Sequence, residues 1–142
     1  MPFDLKNNIK TMIGISPVAV GTTGTGQTGK VIDRAGYESV TFVNSFGAIT
    51  ATNATLVVTV FEGDTTGTLT SVADADLIGT EAAAGVAAAT PRASGTTMRV
   101  VKTIGYKGVK RYVRCNIRST VTAGPVISSV AVLGHPRVKP TS

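Results

Sequence analysis

Tryptophan is absent from the chain, aromatic residues fill only 5% of its 142 positions, and there is one cysteine and one histidine. Each shortage narrows what the protein can do. With Cys115 alone, no intrachain disulfide forms. His135, set beside Pro136 in a basic tail with no acidic residue nearby in sequence, suits a surface or docking role better than metal ligation; Ser-His-Asp chemistry would have to use it, and no Gly-x-Ser-x-Gly elbow occurs. Few aromatics leave little to interleave with nucleic-acid bases. No apolar run approaches the ~18 residues of a membrane-spanning helix. The opening Met1-Pro2-Phe3-Asp4 lacks the basic-then-apolar pattern of a signal peptide, so the chain is expected to remain in the cytosol or to be assembled from there. Acidic residues also run out: none follows Glu81, whereas Arg92, Arg99, Lys102, Lys107, Lys110, Arg111, Arg114, Arg118, Arg137 and Lys139 all do.

What is present points to a β domain. A hydrophobic fraction of 42% with 15% charged residues argues against wholesale disorder, and the length suits one domain with a real core. Val and Thr are abundant, which favours strands. The 16 Gly and 6 Pro fall mostly between Val/Thr-rich runs, where turns belong. Strands are expected at 30–33, 37–43, 55–62, 98–104, 109–118 and 126–133, giving an all-β, antiparallel sandwich. Its expected core is Val40, Phe42, Val58, Val60, Val113, Cys115, Ile117, Val130 and Val132. Residues 1–29, rich in Gly and Thr towards their end, read as an irregular N-terminal arm, mobile in the free protein and ordered in an assembly. Residues 30–134 read as the sandwich, and 135–142 as a tail that two prolines keep out of a central strand. Ser71 is placed to cap a helical turn, and Glu81–Ala89 reads as a loop or single turn.

The segment Lys110, Tyr112, Arg114, Asn116 and Arg118 alternates with Val113, Cys115 and Ile117. Such a strand has one apolar face and one cationic face. With a net charge of +6 and a pI near 9.8, the excess points to a partner with an acidic surface, nucleic acid or another protein. The residues expected at that contact are Lys110, Tyr112, Arg114 and Arg118, with His135 and Arg137 in the tail. Cys115 reads as a small buried hydrophobe.

Other motifs fail on their missing parts. Gly24-x-Gly26-x-x-Gly29 lacks the helix of a dinucleotide fold, and in Gly24-x4-Gly29-Lys30 Val31 stands where a phosphate loop needs a hydroxyl. Glu62, Asp64, Asp74 and Asp76 match no calcium-loop spacing. No catalytic residues, metal ligands or cofactor are therefore expected, and no enzymatic activity.

Four strings carry a resemblance: Gly36-Tyr37-Glu38-Ser39-Val40-Thr41-Phe42, Asp74-Ala75-Asp76-Leu77-Ile78-Gly79, Ile104-Gly105-Tyr106-Lys107-Gly108-Val109-Lys110-Arg111-Tyr112-Val113-Arg114 and Ala131-Val132-Leu133-Gly134-His135-Pro136-Arg137. Over residues 30–138 the chain resembles a family of small virion proteins of tailed bacteriophages and prophages, found in the head-gene cluster near the major capsid protein. The resemblance implies a structural role on the phage head, as a decoration or cement protein that binds the major capsid protein and copies of itself, with no small-molecule substrate and no membrane. Its expected location is the virion, after assembly in the host cytoplasm. A tail or connector role is the alternative within that family, and a nucleic-acid-binding module using strand 109–118 is the alternative outside it.

Overall fold

The computed structural model describes residues 5–19, 27–47, 55–86, 100–120 and 126–136. In chain order the strands are β1 (Lys10–Ala19), β2 (Gln27–Thr28), β3 (Ile32–Asp33), β4 (Tyr37–Phe46), β5 (Leu56–Thr65), β6 (Thr68–Ser71), β7 (Leu77–Ile78), β8 (Val100–Tyr106), β9 (Tyr112–Ser119) and β10 (Val126–Pro136). One helical turn, α1 (Glu81–Ala84), lies between β7 and β8. The strands make two sheets with antiparallel pairing throughout. The first runs β1-β10-β4-β8-β7; the second runs β2-β9-β5-β6, with β3 also on β9. Their inner faces share one core, and the fold is the antiparallel β-sandwich that the alternation predicts.

That core is built from period-2 burial. Val40, Phe42 and Phe46 of β4, Val58 and Val60 of β5, and Val113, Cys115 and Ile117 of β9 are all buried, and alternation turns most of the residues between them outward. Val130 and Val132 depart from the expectation. On β10 it is Ile127, Ser129, Ala131 and Leu133 that are buried, and both valines are only half-buried on the outer face. The run is apolar on both of its faces, so alternation gives it no direction. Pairing decides instead: Val130 sits opposite Val43 and Val132 opposite Thr41, both outward on β4.

The N-terminal segment is also corrected. Residues 1–29 are not an irregular arm throughout, because Lys10–Ala19 is a ten-residue strand paired with β10 from Lys10↔Leu133 to Ala19↔Val126. Register shifts between Ile13 and Ile15 and between Ile15 and Val18 break the period. Met12 and Ile15, three positions apart, thereby both pack on the core, a spacing that strict alternation forbids. Gln27 and Thr28 pair with β9, and Lys30 donates its N–H to the Gly14 carbonyl at 2.7 Å, tying the edges of the two sheets together.

At the other end β10 continues to Pro136, which pairs with Tyr37, so the tail does not leave the sheet at 135. β1 reaches only as far as Leu133. Beyond it β10 has a neighbour on one side alone, and a proline loses no ladder donor on the open side. Ser71 ends β6 instead of capping a helix; the turn that follows is the 3-10 segment Asp74–Asp76, with no side-chain cap. α1 is a single turn, capped by Thr80, whose hydroxyl accepts the Ala83 N–H at 3.0 Å.

Candidate partner interface

The cationic alternation lies on the outer face of the second sheet. In β9, Arg114 stands opposite Phe61 of β5 and Arg118 opposite Val57, both half-exposed positions. The Arg114 guanidinium lies 5.1 Å from the Phe61 ring centroid, and that of Arg111 lies 5.1 Å from the ring of Tyr112. The Arg114 Nε is buried with no hydrogen-bond acceptor among the described residues. Neither Arg114 nor Arg118 has a carboxylate partner among those residues.

Other members of the predicted set are placed differently. Lys110 precedes the strand, which begins at Tyr112, and its ammonium pairs with Asp64 at 2.7 Å. Arg111 pairs with Asp33 through two bonds of 2.9 and 2.8 Å. The Arg111 guanidinium holds the Asp33 carboxyl below its ordinary range, and Asp64 raises the Lys110 ammonium. Both pairs are solvent-exposed, so they orient side chains more than they stabilise the fold. They also neutralise two of the cations that the sequence presents as bare. Asn116 shares the alternation of Arg114 and Arg118 but is buried, with its Oδ1 accepting the Gly29 N–H at 3.0 Å. Gly29 runs so close to the Cys115 carbonyl that no Cβ fits there. His135 belongs to the opposite sheet, where its Nδ1 meets Ser39 Oγ at 2.9 Å. It is the one non-glycine residue with positive φ, 50°, among those described. Arg137 lies outside the described residues. The structure thus brings together Tyr112, Arg114 and Arg118, sets Lys110 beside them in an ion pair, and separates His135.

Arg34 holds this face in place, although its sequence context gives no hint of it. Its Nε donates to the Lys110 carbonyl, Nη2 to that of Gly108 at 3.0 Å, and Nη1 to that of Tyr37 at 3.3 Å. Beneath it lies the buried ring of Tyr106, 5.6 Å from the guanidinium carbon. The Tyr106 hydroxyl donates to Glu62 and accepts the Lys110 N–H at 3.0 Å. Burial, then Glu62, pushes that phenol well above its ordinary range. The loop leading into β9 is therefore bonded from below by one guanidinium and one phenol, a long-range pairing that no local spacing could reveal.

Among the described residues, no group of three or more His, Cys, Asp and Glu side chains could hold a metal ion. Of the acids considered for calcium, Glu62 is engaged by Tyr106 and Asp64 by Lys110. An open cleft of about 320 Å³ lies beside the face, lined by Arg34, Ala35, Gly36, Val109 and Arg111.

No family model and no curated protein matches the chain. Among solved structures, a xylan-binding module, CBM15, is similar over 95% of this chain and 95% of its own, at 12% sequence identity and a TM-score of 0.41. At that level the likeness carries nothing about ligand or role.

Proposed function

We propose that this protein is a non-enzymatic structural component of a phage head, a decoration or cement subunit. In this reading it binds the major capsid protein through the outer face of β9 and β5. The observation that carries the docking surface is Arg114, whose Nε is buried with no acceptor among the described residues and whose guanidinium is stacked on Phe61. The guanidinium as a whole is half-exposed and has no carboxylate partner among the described residues, so an incoming carboxylate can meet it in a charge-assisted bond. Arg118, half-exposed on the same strand and without a carboxylate partner among the described residues, extends the site. The role itself is supported by the resemblance of residues 30–138 to small virion proteins of tailed phages.

Nucleic acid is the competing partner, and one observation weighs against it. Phe61 and Tyr112, the rings of this face, each already carry a guanidinium against them, whereas base stacking needs open ring faces.

Co-sedimentation of the purified chain with empty, expanded shells of the cognate major capsid protein tests the proposal. The chain is expected to pellet with shells, and the double variant Arg114→Ala/Arg118→Ala to lose affinity by ~10-fold or more. Absence of binding at low salt overturns the cement role. Binding to naked DNA with a steep salt slope, and none to shells, establishes the nucleic-acid reading in its place.

A further inference from the structure

The sheet opposite the cationic face has an outer surface of a different kind. Charged residues in its strands are Lys10, Glu38 and Lys102. Each occupies a position with the core-facing parity, in step with Met12, Val40 and Ile104 respectively. Every outward-parity position of β1, β10, β4, β8 and β7 up to the bulges is Val, Ile, Thr, Ser, Tyr, Gly or Pro, although Tyr37 packs against the core and Pro136 is buried. Ile13, Val101 and Ile78 are 51%, 62% and 59% exposed there, and Val43, Val130 and Val132 form the half-buried ridge between them. Solvated sheet faces ordinarily carry charge, and a row of Val and Ile running across an uncharged, Thr- and Ser-bearing face marks a contact.

We propose that this face is where two copies of the chain pack back to back, related by a two-fold axis near Val130. Charge selects the occupant. An acidic partner is recognised by cations, and the outward positions of the described strands offer none. A second copy, carrying the same net charge of +6, can approach here without bringing cations together. Geometry fits as well. Val130 lies about midway along β10, the second strand of the sheet, between Ile13 on one neighbouring strand and Val43 on the other, so a two-fold near it that runs across the strands sets each strand against its own copy. Four strands ~4.8 Å apart and about eight residues long, with the short β7 at one edge, present roughly 500 Å² per copy, or roughly 1,000 Å² for two, at the lower limit for a specific interface. Edge-to-edge pairing is a poorer route, because the edge strand β1 carries Pro17 and two register shifts, and its Gly14 carbonyl is taken by Lys30. The inference does not rest on the shell reading, since it concerns the free protein.

Sedimentation velocity of the full chain over a range of concentrations tests it, with far-UV circular dichroism as the check on folding. The wild type is expected to be a dimer whose association withstands high salt, as apolar contacts do. Val130→Lys places two like charges at the axis and is expected to weaken the dimer by ~100-fold or more. Ile13→Lys, at an exposed edge position that tolerates lysine, is expected to weaken it by ~10-fold, and it decides the matter if Val130→Lys does not fold. Arg114→Ala, on the opposite face, is expected to leave the dimer intact. A wild type that stays monomeric at every concentration overturns the proposal, as does a dimer unchanged in folded Val130→Lys or Ile13→Lys protein.

Discussion

At the scale of single residues, the polar contacts inside the core have consequences that pH can read. Cys115 points inward from β9 and meets Asn44 of β4 across the sandwich, its Sγ 3.9 Å from the amide Oδ1. Burial pushes the thiol from its ordinary 9.0 up to about 12, with the Asn44 contact opposing. A folded-state pKa above the unfolded one means that the thiol's contribution is fully present below about pH 9. It is lost as the pH rises towards 12. Urea unfolding is therefore expected to show stability falling from about pH 9 upward, with the Tyr106 phenol, raised in the same direction, adding its own loss above about pH 10. Cys115→Ala removes the earlier part of that slope while costing about 1 kcal/mol at neutral pH through lost packing. An unchanged alkaline slope in the variant would assign the loss to another group. The same burial makes the native thiol inert, and this much is legible in the sequence, where Cys115 stands between Arg114 and Asn116 on an alternating strand.

At the scale of elements, protection of strand edges explains features that look incidental. β5 pairs with β9 on one side, but on the other β6 covers it only from Thr65 back to Phe61. The stretch beyond is covered by the segment carrying α1. Leu56 and Val86 exchange backbone bonds of 2.8 and 3.1 Å, Val60 donates its N–H to the Glu81 carboxylate at 2.7 Å, and Val72 donates to the Val60 carbonyl at 3.0 Å. Glu81 is thus a side chain completing a ladder. Glu81→Ala leaves the Val60 N–H without that partner and is expected to lower unfolding free energy by about 1–3 kcal/mol. Hydrogen exchange is expected to quicken at Val60 while β9 stays protected; uniform exchange across both strands would contradict the cap. This cap is not legible in sequence, where Glu81 stands in an Ala-rich run with no periodic signal. β5, apolar on both sides, reads as buried on both, yet Val57, Thr59 and Phe61 are only half-buried. β4 and β9 are legible, because each alternates and buries one face. β1 is not, since its bulges put Met12 and Ile15 on one side and Pro17 breaks the run. β2 and β7, two residues each, exist only because longer strands template them. The candidate interface divides in the same way: Arg114 and Arg118 follow from alternation, whereas the ion pairs of Lys110 and Arg111 and the anchoring by Arg34 depend on residues tens of positions away.

At the scale of the molecule, the sandwich sorts its charge between two faces. One sheet turns Arg114 and Arg118 outward, and the other turns no charged residue outward in its described strands. Inner sheet faces pack about 10 Å apart, so the two surfaces share no side chains. Perturbations confined to one face are expected to act independently of those on the other. In a matrix of variants, Arg114→Ala/Arg118→Ala should lose shell binding and keep the dimer, and Val130→Lys should lose the dimer and keep shell binding. Dimerisation raises affinity for a shell only if the two cationic faces of a pair can reach one lattice together, since avidity needs simultaneous engagement. Back-to-back packing sets those faces on opposite sides of the pair, a geometry that places one face on the shell and turns the other away. The expected result is therefore equal affinity per cationic face for dimer and monomer, read by titrating shells with wild type and with Val130→Lys. A large affinity gain for the dimer would mean that both faces engage one shell, and that the back-to-back arrangement is wrong.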